Sequence, residues 1–379
     1  MTREMDAYRY SDEDSPRNRR ANKACGKRAV TLISALFIVA VIIVVAVVLA
    51  KDGDSNDTAS DKTQASAATN GTSTDAAGSG SSTGTTTTPP SSSGCPAIAP
   101  HERTVAFWQS EVDGCEKIPS GVTHVVFGFA LVSNATQQVL PTFQNTDDEI
   151  KACVKSLKTK CIVPMGSIGG STNNAELAAT VDADAFATSA VKLIDKFGFQ
   201  GLDLDDETVG AEFNATRVIA RVRALRTALE KKDKSLLLTY DAYFNEGEPS
   251  FCKNPEYSAY TRCFPTEIIP SVDWINIMAY NVQSDPTAAA EIYDKALNTT
   301  FAEWATQLDG DFTRATIGVC VEKSCAYGPG PSTAIVERWN KFARQAGVGG
   351  GMMVYAASGE VADDFAVTRS VLPVSTGTT

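Results

Sequence analysis

Residues 197–207 read FGFQGLDLDDE and crowd four carboxylates, Asp203, Asp205, Asp206 and Glu207, into five positions. They follow glycines and leucines rather than the lysines and serines of a solvated acidic segment. Residues two apart on a strand share a face. A strand here turns Asp203, Asp205 and Glu207 one way and Leu202 and Leu204 the other. Asp206 then falls on the opposite side or in the loop that follows. Carboxylates converging in a partly dry site repel one another and lose hydration, so a shared proton and a raised pKa on one member are expected. A general acid working near neutral pH needs that arrangement.

The surrounding sequence fits this strand into a larger pattern. Short apolar runs at 104–108, 123–131, 161–167, 201–205, 236–241, 274–280, 316–321 and 351–355 read as buried strands. Between them, residues 182–198, 213–232 and 332–347 space apolar side chains at helical intervals. Asp182 and the Ser332–Thr333 pair stand where N-caps belong, and Gly198 and Gly347 lie past the ends. Eight strands alternating with helices predict an α/β fold, a closed (β/α)8 TIM barrel. A doubly wound open sheet would want a glycine-rich loop after its first strand, and Trp108-Gln109-Ser110-Glu111-Val112 contains no glycine. In a barrel, catalytic groups sit at the C-terminal ends of strands, which is where Asp205 and Glu207 fall.

The first 94 residues have a different texture. Residues 29–50 carry no charge, proline or glycine, and 22 helical residues span roughly 33 Å, enough to cross a bilayer. Arg17, Arg19, Arg20, Lys23, Lys27 and Arg28 precede this run, and Asp52, Asp54 and Asp57 follow it. That asymmetry predicts a basic cytosolic tail (1–28), a transmembrane signal anchor (29–50) and an extracellular or lumenal body, a single-pass type II arrangement. Secretion after cleavage near Ala50 is the alternative. Residues 51–94 are dominated by Ser, Thr, Gly, Ala and Asp and cannot bury enough apolar surface to order, so they read as a Ser/Thr-rich linker before a barrel domain at 95–379.

Other features agree with that orientation. Eight of the nine cysteines lie beyond the apolar run, an even number suited to an oxidising compartment. Short spacings suggest Cys153–Cys161, Cys252–Cys263 and Cys320–Cys325, leaving Cys95 with Cys115. Sequons at Asn56, Asn70, Asn134, Asn214 and Asn298 are glycosylation candidates, and none lies in the basic tail. A net charge of −11 argues against a nucleic-acid partner. Two histidines and no paired CxxC make a zinc site improbable, and no cofactor or metal is expected. Oligomeric state is not legible in the sequence.

Four motifs, in order along residues 100–370, resemble those of glycoside hydrolase family 18, the chitinases and their relatives. Residues 200–207 match D-G-x-D-x-D-x-E except at Gln200, and Ser167-Ile168-Gly169-Gly170 matches S-x-G-G. Phe127-Gly128-Phe129-Ala130 and Met278-Ala279-Tyr280-Asn281 match the patterns of two further strands. The resemblance implies retaining hydrolysis without an enzyme nucleophile, in which the substrate's 2-acetamido oxygen attacks the anomeric carbon. Glu207 would then protonate the glycosidic oxygen, and Asp205 would orient the acetamido N–H. Asp203 would lie behind Asp205 and share its proton, with Ser167 as a further partner. Tyr280 would hold the acetamido carbonyl, with Asn281 beside it. Met278, Phe129 and Tyr355 are the remaining sugar-contact candidates, with Trp108 as a further one for which a barrel-bottom or packing role is the equal alternative.

Departures from the pattern bear on substrate. Tyr355 stands where a tryptophan floor is usual and offers a smaller ring surface. Asp206 resembles the endo-β-N-acetylglucosaminidase branch, which cuts N-glycan cores. The short connection between the last two strands leaves no room for an α+β insertion and implies an open, endo-acting cleft. Chitin or a chito-oligosaccharide is the expected substrate, with an N-glycan endoglycosidase or a chitin-binding lectin as alternatives.

Overall fold

The computed structural model describes residues 94–373, apart from 110–113, 245–250, 253–262, 322–324 and 326. Its strands are β1 (Thr104–Gln109), β2 (His124–Ser133), β3 (Gln138–Leu140), β4 (Val163–Gly169), β5 (Gly201–Asp205), β6 (Leu237–Tyr243), β7 (Trp274–Met278), β8 (Ala315–Cys320) and β9 (Met352–Tyr355). All but β3 pair in parallel, in the order β1-β9-β8-β7-β6-β5-β4-β2, and β1 closes the ring onto β2. The expected eight-stranded barrel is present. β3 is an antiparallel addition that pairs Val139 with Val132 of the overlong β2. Three residues are too few for a periodic signal, which is why the sequence reading missed it.

Strand alternation sorts the barrel into two apolar layers. Val105, Phe107, Val126, Met165, Trp274, Met278 and Met353 fill the inside. Ala106, Val125, Ile168, Leu202, Leu204, Leu238, Ile275, Ile317 and Val354 face outward to the helices. The helices are α1 (Asp147–Thr159), α2 (Asn174–Ala179), α3 (Ala183–Phe197), α4 (Ala215–Lys232), α5 (Pro286–Lys295), α6 (Thr300–Gln307), α7 (Thr333–Ala343) and α8 (Ala366–Ser370). Asp182 caps α3 by accepting from the Asp184 and Ala185 amides, and Gly198 ends it at φ 77°. Between β1 and β2 the described residues hold only a short 3-10 turn, Cys115–Lys117.

The base of the barrel is closed by aromatic and cationic packing. The Arg103 guanidinium lies 4.3 Å above the Trp274 ring, and His124 meets the same ring edge-on. Burial holds His124 near pKa 3, so the imidazole is neutral there.

Two disulfide expectations are corrected. Cys95 bonds Cys161 and Cys115 bonds Cys153, while Cys252–Cys263 and Cys320–Cys325 stand as expected. Sequence proximity misled because parallel strands bring distant segments together: the turn at Cys115 packs on α1, and Cys95 lies beside the start of β4. Residues 1–93, with the basic tail, the apolar run, most of the linker, Cys25, Asn56 and Asn70, lie outside the described residues. Among the described residues no helix is long and apolar enough to cross a membrane. Asn134, Asn214 and Asn298 are exposed, and the Asn214 side chain caps α4 through the Arg217 amide.

Candidate active site

β5 delivers its carboxylates as the alternation requires. Asp203 is fully buried, Asp205 is 3 % exposed and Glu207, just past the strand, is half-buried. The Asp203 carboxylate accepts from Ser167 Oγ at 2.7 Å through one oxygen, and from Thr239 Oγ1 and Asn276 Nδ2 through the other. Burial pushes Asp203 above the ordinary carboxylate range, and these donors partly offset it.

Gly169 and Gly170 bring β4 against the end of β5. The Gly170 amide donates to the Asp205 carbonyl at 2.9 Å. Gly169 has φ 116°, and a Cβ there would stand 2.2 Å from the same carbonyl oxygen. The Phe129 ring lies against Gly170, 3.2 Å from where its Cβ would be. The S-x-G-G motif therefore sets the height at which Asp205 and Glu207 emerge. Gly169→Ala is expected to destabilise the barrel by about 2–4 kcal/mol. An unchanged thermal midpoint would show that this close approach is dispensable.

At the mouth, Tyr280 stacks parallel to Tyr355 with ring centroids 6.0 Å apart, and Phe107 meets Tyr355 edge-on. Burial, then the charges of Asp241, Asp205 and Glu207, push the Tyr280 phenol well above its ordinary value. Tyr355 is pushed up in the same way. Both hydroxyls stay protonated and available as donors in the electrostatic neighbourhood of Asp205 and Glu207. Met278 lies inside the barrel at 8 % exposure. Asn281, at φ 58°, accepts the Tyr327 amide and so pins the loop after β8 to the end of β7.

One sequence reading changes here. Trp108 alternates to the outside of β1, is buried and stacks on Phe365, so it is a packing residue rather than a sugar contact. Asp206 turns away from the mouth, as the alternation along β5 requires. Its carboxylate pairs with Arg221 of α4 at 3.0 Å and accepts from Thr208, with both ions essentially without solvent contact. Arg221 reaches on to the Leu177 and Thr180 carbonyls, tying the end of β5 to the C-terminal turn of α2.

The sequence reading also missed members of the site. Asp241 on β6 is 2 % exposed, and Asn276 Nδ2 donates to its Oδ1 at 2.9 Å. Thr239, Asn276 and Thr316 complete a polar layer around Asp203. The available signal was alternation: Leu237, Thr239, Asp241 and Tyr243 share one face of β6, and a polar residue on an inward face was as informative there as on β5.

A parallel barrel with an acid-bearing strand opening at its mouth defines an architecture for acting on a ligand held across the strand ends. Its motifs place it further: the chain belongs to the glycosyl hydrolases family 18, whose pattern matches residues 103–319. Mouse Chitotriosidase-1 is 29 % identical over 196 residues, which cover 48 % of this chain and 38 % of that protein. Exochitinase 1 of Streptomyces olivaceoviridis is 33 % identical over 104 residues, covering 25 % of this chain and 17 % of that one. These matches span well under half the length of either relative. Among solved structures, the Cycas revoluta family GH18 chitinase in complex with allosamidin superimposes with a TM-score of 0.56 at 17 % identity, covering 71 % of this chain and 98 % of that one. A chitinase-like agglutinin from Robinia pseudoacacia does so at 0.53 and 15 %, covering 70 % and 99 %.

Proposed function

We propose that the chain is an endo-acting chitinase that hydrolyses β-1,4-linked N-acetylglucosamine polymers with retention of configuration. The observation that carries this reading is the gradation along β5, from buried Asp203 through Asp205 to the half-buried Glu207 at the mouth. Glu207 protonates the leaving oxygen. Asp205 accepts the acetamido N–H and offsets the charge of the oxazolinium formed when the acetamido oxygen attacks C1. Tyr280 donates to the acetamido carbonyl, and its stacking on Tyr355 limits where that group can sit. Solved relatives in complex with (GlcNAc)4 and (GlcNAc)3 support the substrate class.

Asp206 was the residue that favoured an N-glycan core as substrate. Paired with Arg221 and buried, its carboxylate faces α4 and does not itself meet either substrate. The test is turnover of chito-oligosaccharides and of a high-mannose glycopeptide by the full chain, with the anomer of the first product read by NMR. Initial β-anomer from the chito-oligosaccharide is expected. Release from the glycopeptide alone would favour the N-glycan reading, and binding of chito-oligosaccharides without turnover would favour a lectin.

We also propose that residues 29–50 anchor the barrel outside the cytosol, and the four disulfides support an oxidising compartment. N-terminal sequencing of the mature membrane-bound protein checks it, because a start near Lys51 would mean a cleaved leader.

A further inference from the structure

Asp241 is a buried carboxyl group that the mechanism above leaves unused. Strand register puts Thr239 beside Asp203 and Leu204 beside Tyr240, while Asp241 pairs with Asn276 on the other side. Asp241 thus stands one step further along β6 than Thr239, level with the end of β5.

The orientation of Asn276 is fixed from below. Its Oδ1 accepts from Trp274 Nε1 at 2.9 Å and from Thr316 Oγ1 at 2.8 Å. An indole N–H can only donate, so the Asn276 amide nitrogen must face the acids. It spends one N–H on Asp241 and one on Asp203. Asp203 also receives Thr239 and Ser167, and the Asp241 side chain hydrogen-bonds it as well. A carboxylate has about four lone-pair sites. Ser167, Thr239 and Asn276 take three of them and favour the ionised form of Asp203, so the proton of its contact with Asp241 belongs on Asp241.

We propose that Asp241 is a positioning residue of the site: its carboxyl carries the proton of the buried acidic cluster and donates it to Asp203, leaving Asp205 free of that proton as an acceptor for the substrate's acetamido N–H. The groups facing it agree. Asp203 and Asp205 come from β5, Tyr280 follows β7 and Tyr355 ends β9, all acidic or neutral. Arg103 and His124 pack on the Trp274 ring, the side chain whose Nε1 donates to Asn276. Burial first, then the charges of Asp203 and Asp205, push Asp241 well above the ordinary carboxylate range. The catalytic consequence rests on the hydrolase reading; the location of the proton does not.

Two arms of one experiment separate these. A carboxyl whose folded pKa is raised binds its proton in the folded state while the unfolded chain has released it, so stability falls as pH rises above about 4. Asp241→Asn keeps the donor and the shape without that proton. Its thermal midpoint relative to the parent full chain is expected to climb steadily between about pH 4 and 8. A difference that stays flat with pH overturns the proposal, whether or not either protein turns over sugar.

In the activity arm, Asp241→Asn keeps kcat within about threefold, because a neutral donor still faces Asp203. Asp241→Ala lowers kcat about ten- to a hundredfold with little change in KM. It also moves the acid limb of the kcat/KM profile up by about one pH unit, as Asp203 and Asp205 take up the missing proton. If Asn loses as much as Ala with both profiles unshifted, Asp241 acts as a charge or a filler and the proposal fails.

Discussion

Glu207→Gln is expected to lower kcat on chito-oligosaccharides by about 10²–10⁴-fold while leaving KM within a few-fold of the parent. Glutamine keeps the size and hydrogen-bonding reach of the acid but has no proton to give the leaving oxygen, so ground-state binding survives and the transition state loses its donor. Asp205→Asn is the informative companion. On the proposed mechanism it should also lose most activity, because an amide cannot offset the positive charge of an oxazolinium. Parent-like turnover by the Gln variant would remove Glu207 from the acid role, whereas tight binding without turnover by parent and variant alike would identify a lectin.

The second large effect concerns stability. Asp206 and Arg221 are an ion pair with essentially no solvent contact, reinforced by Thr208 on one side and the Leu177 and Thr180 carbonyls on the other. Removing one partner leaves the other charge uncompensated, so Arg221→Met or Asp206→Ala is expected to destabilise the fold by about 3–5 kcal/mol. The double replacement by apolar residues should recover a substantial part, since it leaves no orphaned charge. Chemical denaturation of the two singles and the double measures this coupling. Additive losses would show that the pair is not energetically linked. Asp206→Asn that still folds should keep parent-like kcat, because this carboxylate faces α4 rather than the mouth.

How far the sequence revealed this molecule depended on whether a signal was periodic. The strands at 201–205 and 274–278 were legible because leucine or isoleucine alternates with residues of another kind. The same alternation placed Asp203, Asp205 and Glu207 together. Trp108 failed under that rule, since an aromatic residue near a strand's end says nothing of the face it occupies until its neighbours' parity is counted. Asp206 was ambiguous for a related reason: an outward-facing acid reads as exposed unless its partner, Arg221, is known to lie across the helix packing. Disulfide connectivity was illegible beyond the two shortest loops, because the barrel sets which distant segments meet.

The bond between Cys95 and Cys161 has a mechanical consequence. Tension drawn through the chain before Cys95 forks there, one branch running through the backbone into β1 and the other passing covalently to the foot of β4. β2 lies between these two strands, so load is shared across three neighbours rather than unzipping β1 from its pairing partners. Both feet lie at the end of the barrel opposite Glu207. A pull at Cys95 therefore enters the barrel at the strand ends opposite Glu207, and strain reaches the acids only after crossing the length of the sheet.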